Sequence, residues 1–140
     1  MKAVIDTSIF VSTLLAPRGA GAWLMALWAN KQFELVISPA LEDELIEVLE
    51  RSSISSRVDR QRQTALFRRL RYDAIWSLGT LNAIGMVDPD DDILLIAALE
   101  SSAEFIVTRD KKLLKQGNCQ GIRIVSLDQF IAILVRNHPR

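Results

Sequence analysis

The chain has one cysteine, Cys119, and one histidine, His138, among 140 residues. A lone cysteine excludes an internal disulfide and any thiolate metal cluster. A single imidazole close to the end of the sequence leaves nothing anchored for a Ser-His-Asp triad, a Cys-His pair or an HExxH zinc site. The formal net charge is zero, which on its own gives no support to nucleic-acid binding. Long apolar runs are also missing: the longest, around Trp23 to Trp28 and Ile93 to Leu99, fall far below the roughly 20 residues needed to cross a bilayer. No basic-then-apolar leader precedes the first strand pattern. A cytoplasmic protein without a membrane partner is the expectation. Its chemistry must then run on carboxylates, hydroxyls, Lys, Arg or a bound metal.

What is present begins with an ordinary globular balance, 49% apolar and 24% charged, sufficient for one domain over residues 1–140. The charge is segregated. Seven arginines lie between Arg51 and Arg71 against a single acid, Asp59, while acids gather in Glu42 to Glu50 and Asp88 to Asp92. Val4-Ile5, Leu35 to Ile37, Phe105 to Val107 and Ile122 to Val125 read as strands, with Ala83 to Val87 as a fifth weakened by Gly85. Helical periodicity covers Gly21 to Lys31, Ala40 to Arg51, Val58 to Arg71, Asp91 to Ser101, Lys111 to Gln116 and Gln129 to Arg136. Apolar strands alternating with helices predict a parallel α/β sandwich of about five strands. Right-handed crossovers bring every parallel strand's carboxyl end to one edge.

That edge is where the acids matter. Asp6 directly follows the first strand, and Thr108-Arg109-Asp110 follows Phe105 to Val107. Asp6 has a plain alternative as a turn residue or helix cap beside Thr7 and Ser8. Asp88-Pro89-Asp90-Asp91-Asp92 opens a helix, where one or two acids would serve as caps; four in five residues exceed that need. At 100° per residue Asp92 projects among Leu95, Ile96 and Leu99, a packed face where a carboxylate must be paired or coordinated. Glu44 borders the Leu41/Leu45/Val48 stripe, but Glu42 borders its other edge, so the helical wheel does not choose between them. Carboxylates about 4 Å apart repel by roughly 4 kcal/mol at an effective dielectric near 20. A cluster of them raises its own pKa values or takes a cation. Oxygen-only donors favour Mg²⁺ or Mn²⁺ over zinc, and such ions support phosphodiester hydrolysis.

The segments Val4-Ile5-Asp6-Thr7-Ser8, Ser38-Pro39 with Glu44-Leu45, Asp88 to Asp92, and Val107-Thr108-Arg109-Asp110-Lys111 resemble the successive motifs of PIN-domain ribonucleases. Val125-Ser126-Leu127-Asp128 resembles the closing strand-to-helix segment. The likeness runs from Lys2 to about Val135 and points to the single-domain, toxin-like (VapC-like) branch of toxin–antitoxin pairs. It implies an α/β/α fold with a parallel sheet, Mg²⁺- or Mn²⁺-dependent RNA cleavage, a small cognate antitoxin and a homodimer. By position, the resemblance makes Asp6, Glu44, Asp92 and Asp110 the catalytic acids, with Asp6, Asp92 and Asp110 as metal ligands. Thr7, Thr108 and Asp90 would support them, and Asp91 would stand in an outer shell. Asp92 is preferred to Asp91 because its distance to Thr108 and the following Ile-Ala-Ala fit the family register.

Rivals from other classes fit less well. A receiver-type phosphoacceptor domain wants a paired acidic dipeptide after the first strand, where a lone Asp6 stands. A haloacid-dehalogenase-like phosphatase wants an Asp two residues later, where Ser8 stands. A PIN fold kept only as an interaction module has no need of four intact acids. The arginine-rich helix from Arg57 to Arg71 is either a phosphate-tracking face or the solvated side of an amphipathic helix around Leu66, Phe67 and Leu70. Trp23, Leu24, Leu27 and Trp28 read as core packing or as surplus apolar area for a partner.

Overall fold

Short Val- and Ile-rich segments buried on both faces satisfy their backbone only by pairing side by side. The computed structural model describes residues 1–138 and shows that pairing, with Pro139 and Arg140 outside the described residues. β1 (Lys2–Ile5), β2 (Glu34–Ile37), β4 (Phe105–Val107) and β6 (Ile122–Val125) form the middle of the sheet, and β3 (Ile75–Trp76) and β5 (Asn118–Cys119) its edges. The order is β3-β2-β1-β4-β6-β5. Every pair is parallel except β5 with β6. The helices are α1 (Thr7–Leu15), α2 (Ala20–Ala29), α3 (Pro39–Glu50), α4 (Ser52–Ser55), α5 (Arg60–Asp73), α6 (Asp92–Ser101), α7 (Lys111–Gln116) and α8 (Leu127–Asn137). The architecture is the expected α/β/α sandwich, with six strands instead of five.

Three differences from the sequence reading have physical causes. Ala83–Val87 is not a strand. The amides of Gly85 and Met86 donate to the Asp92 carboxylate, and Val87 N–H donates to Gln116 Oε1, so they are spent on side chains and not on a sheet neighbour. A Cβ at Gly85 would stand 2.9 Å from Cys119 Sγ, which explains the glycine by close approach. The two-residue strands β3 and β5 are too short to show a period. α1, apolar on nearly every face, carries no amphipathic stripe to read; Ile9, Phe10, Val11 and Leu14 are all buried. α2 docks tightly against it, since a Cβ at Gly21 would meet Thr13 Oγ1 at 2.0 Å. Among the described residues, no single helix is long and apolar enough to cross a membrane.

Start signals are conventional. Ser38 caps α3, accepting from Leu41 N–H, with Pro39 at the first helical position. Ser126 and Gln129 form a capping box at α8. On the arginine-rich α5, Leu66 and Leu70 turn inward, and Arg69 lies over the Trp28 ring at 4.8 Å while pairing with Asp73. The rest of that helix presents its arginines to solvent.

The long connection from β3 to α6 is held at both ends by carboxylates. At its start, Glu100 accepts from the Ser77 hydroxyl, from Thr80 Oγ1 and from the amides of Gly79, Thr80 and Leu81. These bonds, the Ser77 hydroxyl first, pull the Glu100 pKa down to about 2. A depressed carboxylate stabilises the fold above its ordinary titration range and loses that contribution as pH falls through the folded value. Glu100→Gln is expected to speed hydrogen exchange at the amides of Gly79, Thr80 and Leu81 at neutral pH, leaving β1 and β4 protection unchanged. Equal exchange in the variant would show that the carboxylate does not hold this loop.

Candidate active site

In an open α/β sheet the natural crevice lies beyond the carboxyl ends of the strands, where the strand order reverses. Here that point lies between β1 and β4. The chain leaves β1 toward β2 and β3 on one side and returns to β4 on the other. Two site residues are placed by this topology alone: Asp6 immediately follows β1, and Thr108 immediately follows β4. The ladder continues past both strands through Asp6 N–H to the Val107 carbonyl (2.9 Å) and Thr108 N–H to the Val125 carbonyl (3.0 Å).

Asp6 is only 9% exposed and Thr108 is fully buried. The Thr108 hydroxyl donates to Asp6 Oδ2 at 2.7 Å and accepts from Asp110 N–H at 3.1 Å, joining the two acids through one side chain. Asp6 stands at the N-cap of α1 yet makes no side-chain capping bond. The helix-cap explanation of this carboxylate therefore fails. Asp110 does cap: its Oδ1 accepts from the Lys112 and Leu113 amides at the start of α7.

Asp6, Thr7, Ser8, Glu44, Asp91 and Asp110 line one cleft of about 530 Å³, with Arg51 and Arg109 at its margins. Between Glu44 and Glu42 the fold decides for Glu44. Its pKa is raised by burial first and by the Asp6 charge second, with the Thr7 hydroxyl and Arg51 pulling it partly back. Ser8 Oγ, on the same wall, is buried without a hydrogen-bond partner.

The acidic run is where the structure and the sequence reading part. Asp92 does not face the cleft. Its Oδ1 accepts from Met86 N–H at 3.0 Å and Gly85 N–H at 3.3 Å, so the cost of its partial burial is met by loop amides and not by its three fellow acids. Asp91 faces the cleft instead. Its pKa is pushed up to about 6, by burial first and then by the charges of Asp6, Asp88, Asp110 and Glu44. The cause of the switch is local. Asp88 caps a 3₁₀ turn, Pro89–Asp91, and the α-helix begins only at Asp92. The preference for Asp92 rested on its distance to Thr108 and the family register, and neither shows that Asp91 belongs to a tighter turn that aims it differently from the helix behind it. The Asp88-Pro89 pair is the signal that marked this separate turn. Asp90 is exposed and contributes its amide to Asp88, not a carboxylate to the cleft.

Arg51 went unassigned in the sequence, although Glu44, Val48 and Arg51 share one helical face by their i, i+4, i+7 spacing. None of the arginines of α5 lines the cleft. Among the described residues, no three Asp, Glu, His or Cys side chains close on a common point as a ready-made metal cage. The acids share the cleft, and the Asp6 charge acts on both Glu44 and Asp91.

Comparison with known proteins follows the same lines. The family model for the PIN domain matches residues 2–112. Among solved structures, VapBC2 from Rickettsia felis, crystallised with a DNA fragment from its promoter, aligns with a TM-score of 0.60 at 15% identity, over 90% of this chain and 98% of that one. At that identity the likeness speaks for the fold. No curated protein matches the sequence significantly.

The raised Asp91 pKa has a stability consequence with a definite sign. A carboxyl whose folded pKa exceeds its unfolded value favours the fold below the unfolded pKa, and that contribution is lost as pH rises through about 6. Above that pH the repulsion is fully present. Asp91→Asn should therefore stabilise the protein at about pH 8, by about 1 kcal/mol after solvent screening, with the gain vanishing toward about pH 4. Urea unfolding across that range measures it. A variant equally stable at both ends would show that Asp91 does not share the cleft with the other acids.

Proposed function

The chain belongs to the PIN-domain family, and from that premise and the acidic cleft we propose that it is an endoribonuclease dependent on Mg²⁺ or Mn²⁺, acting as the toxin of a toxin–antitoxin pair. The observation that carries this reading is the gathering of Asp6, Glu44, Asp91 and Asp110 at the switch point between β1 and β4. Residues separated by most of the chain meet there without an opposing histidine or thiol. Asp91 takes the role that the family register assigned to Asp92.

The donor set suits a hard divalent cation. All candidate ligands are oxygens, Ser8 Oγ lacks a partner, and Asp91 holds its proton unusually tightly, through burial first and then through the charges of four other acids. Asp6, Asp91 and Asp110 would hold the ion, with Glu44 beside them. When bound, the ion supplies charge neutralisation at a phosphate and a water of lowered pKa.

The chain's own groups do the remainder. Thr108 orients Asp6 by holding Oδ2, leaving Oδ1 directed to the cleft beside Thr7. Glu44, whose proton affinity is raised by burial and by the Asp6 charge, is suited to take a proton from an attacking water. Arg109, between Thr108 and Asp110, offers a cation to the phosphate at the cleft mouth.

The cognate antitoxin enters by analogy with the Rickettsia felis assembly, whose fold this chain shares. A homodimer is the second partner; Trp23, 53% exposed on α2, supplies apolar area for such a contact. A non-catalytic interaction module is the competing reading, favoured by the lack of a closed three-ligand group among the described residues.

Cleavage decides between them. Purified protein with Mn²⁺ is expected to cut single-stranded RNA, and Asp6→Asn or Asp91→Asn should lower the rate by a factor of about a thousand without unfolding the chain. Asp92→Asn should keep the rate within about tenfold while loosening the Gly85–Met86 loop. Absence of any metal-dependent cutting would favour the interaction module. An inactive Asp92→Asn beside an active Asp91→Asn would return the third-acid role to Asp92.

A further inference from the structure

The acidic cleft does not stop at the acids. Thr7, Val11 and Leu15 lie along one face of α1, and Glu44, Val48 and Arg51 along the facing side of α3, and all of them line the same cavity. At 1.5 Å per residue, the furrow follows α1 for about 12 Å and α3 for about 10 Å. Its character changes along that length. Carboxylates crowd the end beside β1 and β4, aliphatic side chains floor the middle, and Arg51 stands at the far end.

Arg51 is exposed at the C-cap of α3. A cation there suits the helix dipole, and that role alone would need nothing more. Two observations go further. Arg51 forms no ion pair, although Glu47 stands one turn before it; the one ion pair among the described residues is Arg69–Asp73. It lines the same cleft as Glu44, two turns earlier on the helix, and its charge eases that carboxyl only slightly. A free guanidinium facing a row of carboxylates across an apolar floor is laid out for a ligand that alternates anionic and flat apolar groups.

We propose that the α1–α3 furrow is the path of a single RNA strand leaving the cleavage point, with Arg51 receiving a phosphate that is not the one cut. Val11 and Val48 then bear the base or sugar lying between the two phosphates. The inference rests on the ribonuclease reading and adds to it the course of the substrate and a residue that holds it. Val11 and Leu15 of α1 and Val48 of α3 supply the apolar lining of the furrow, a surface that suits an unpaired base and not the ribose-phosphate exterior of a duplex. Arginine is the apt residue at the far end, since its planar fork grips a phosphate through two parallel bonds where lysine offers a point charge. Arg51 acts as a positioning residue: it holds substrate away from the reacting atoms.

The test is binding, read apart from cutting. A 5′-labelled single-stranded RNA oligonucleotide is titrated with protein in EDTA, by fluorescence anisotropy, over a series of salt concentrations. Arg51→Ala should weaken binding about tenfold and flatten the plot of log affinity against log salt by about 0.7. Arg51→Lys should keep the slope and recover part of the affinity, while Arg136→Ala, on α8, should change neither. Replacing successive linkages by neutral methylphosphonates should reveal one non-scissile position at which wild type and Arg51→Ala bind alike. Duplex RNA should bind more weakly and without dependence on Arg51.

Wild-type affinity and slope in Arg51→Ala would overturn the proposal, as would failure of the wild type to bind the oligonucleotide. Arg51-dependent binding of an acidic peptide in place of RNA would overturn it too. If RNA binds with this dependence yet Mn²⁺ brings no cleavage, the furrow stands and the nuclease reading falls. If RNA is cut while Arg51→Ala binds as wild type, the reverse holds.

Discussion

Beneath the site lies one hydrogen bond, from the buried Thr108 hydroxyl to Oδ2 of the nearly buried Asp6. It crosses between residues 102 positions apart in the chain. A carboxylate at that depth is costly unless a donor satisfies it, and a charge-assisted bond of this length contributes about 1.5–3 kcal/mol. The same hydroxyl accepts from the Asp110 amide, so Thr108 sets the positions of two acids with one side chain. β1 and β4 must be neighbours in register for this to occur, and Val4 opposite Ile106 and Ile5 opposite Val107 provide that register.

Around this tie the fold tolerates an unfavourable electrostatic arrangement. Asp91 and Glu44 hold protons more tightly than free carboxylates because burial and neighbouring acids penalise their ionised forms. A structure optimised for stability alone would relieve such crowding with a cation from its own chain. Arg51 does so only partly for Glu44, and none of the arginines of α5 lines the cleft. Stored repulsion of this kind is characteristic of sites whose charge is completed by a ligand.

Carboxylates elsewhere in the chain do different work, and the contrast is instructive. Glu100 and Asp92 each satisfy loop amides, one at either end of the β3–α6 connection. Their hydrogen bonds come from backbone donors that a metal would not replace. They are structural clamps, and they make the long connection definite without helix or strand. That leaves Leu78, Ile84 and Val87 exposed on a fastened loop.

Much of this was legible in the residues. Alternating Val/Ile runs and helical periods forced a parallel α/β sandwich, because buried strands have to pair and crossovers have one hand. That in turn sent Asp6 and Asp110 to one sheet edge before any coordinate was known. Glu44 was nameable only by resemblance, since an isolated helical wheel treats Glu42 and Glu44 alike; the packing of α3 beside α1 separates them. Asp91 could not be distinguished from Asp92 by spacing, because a one-residue choice depends on where a 3₁₀ turn becomes an α-helix. Chain-local periodicity carries side-chain direction within one element. Which acids face one another, and which cation shares their furrow, depends on how separate elements pack, and only the tertiary structure decides that.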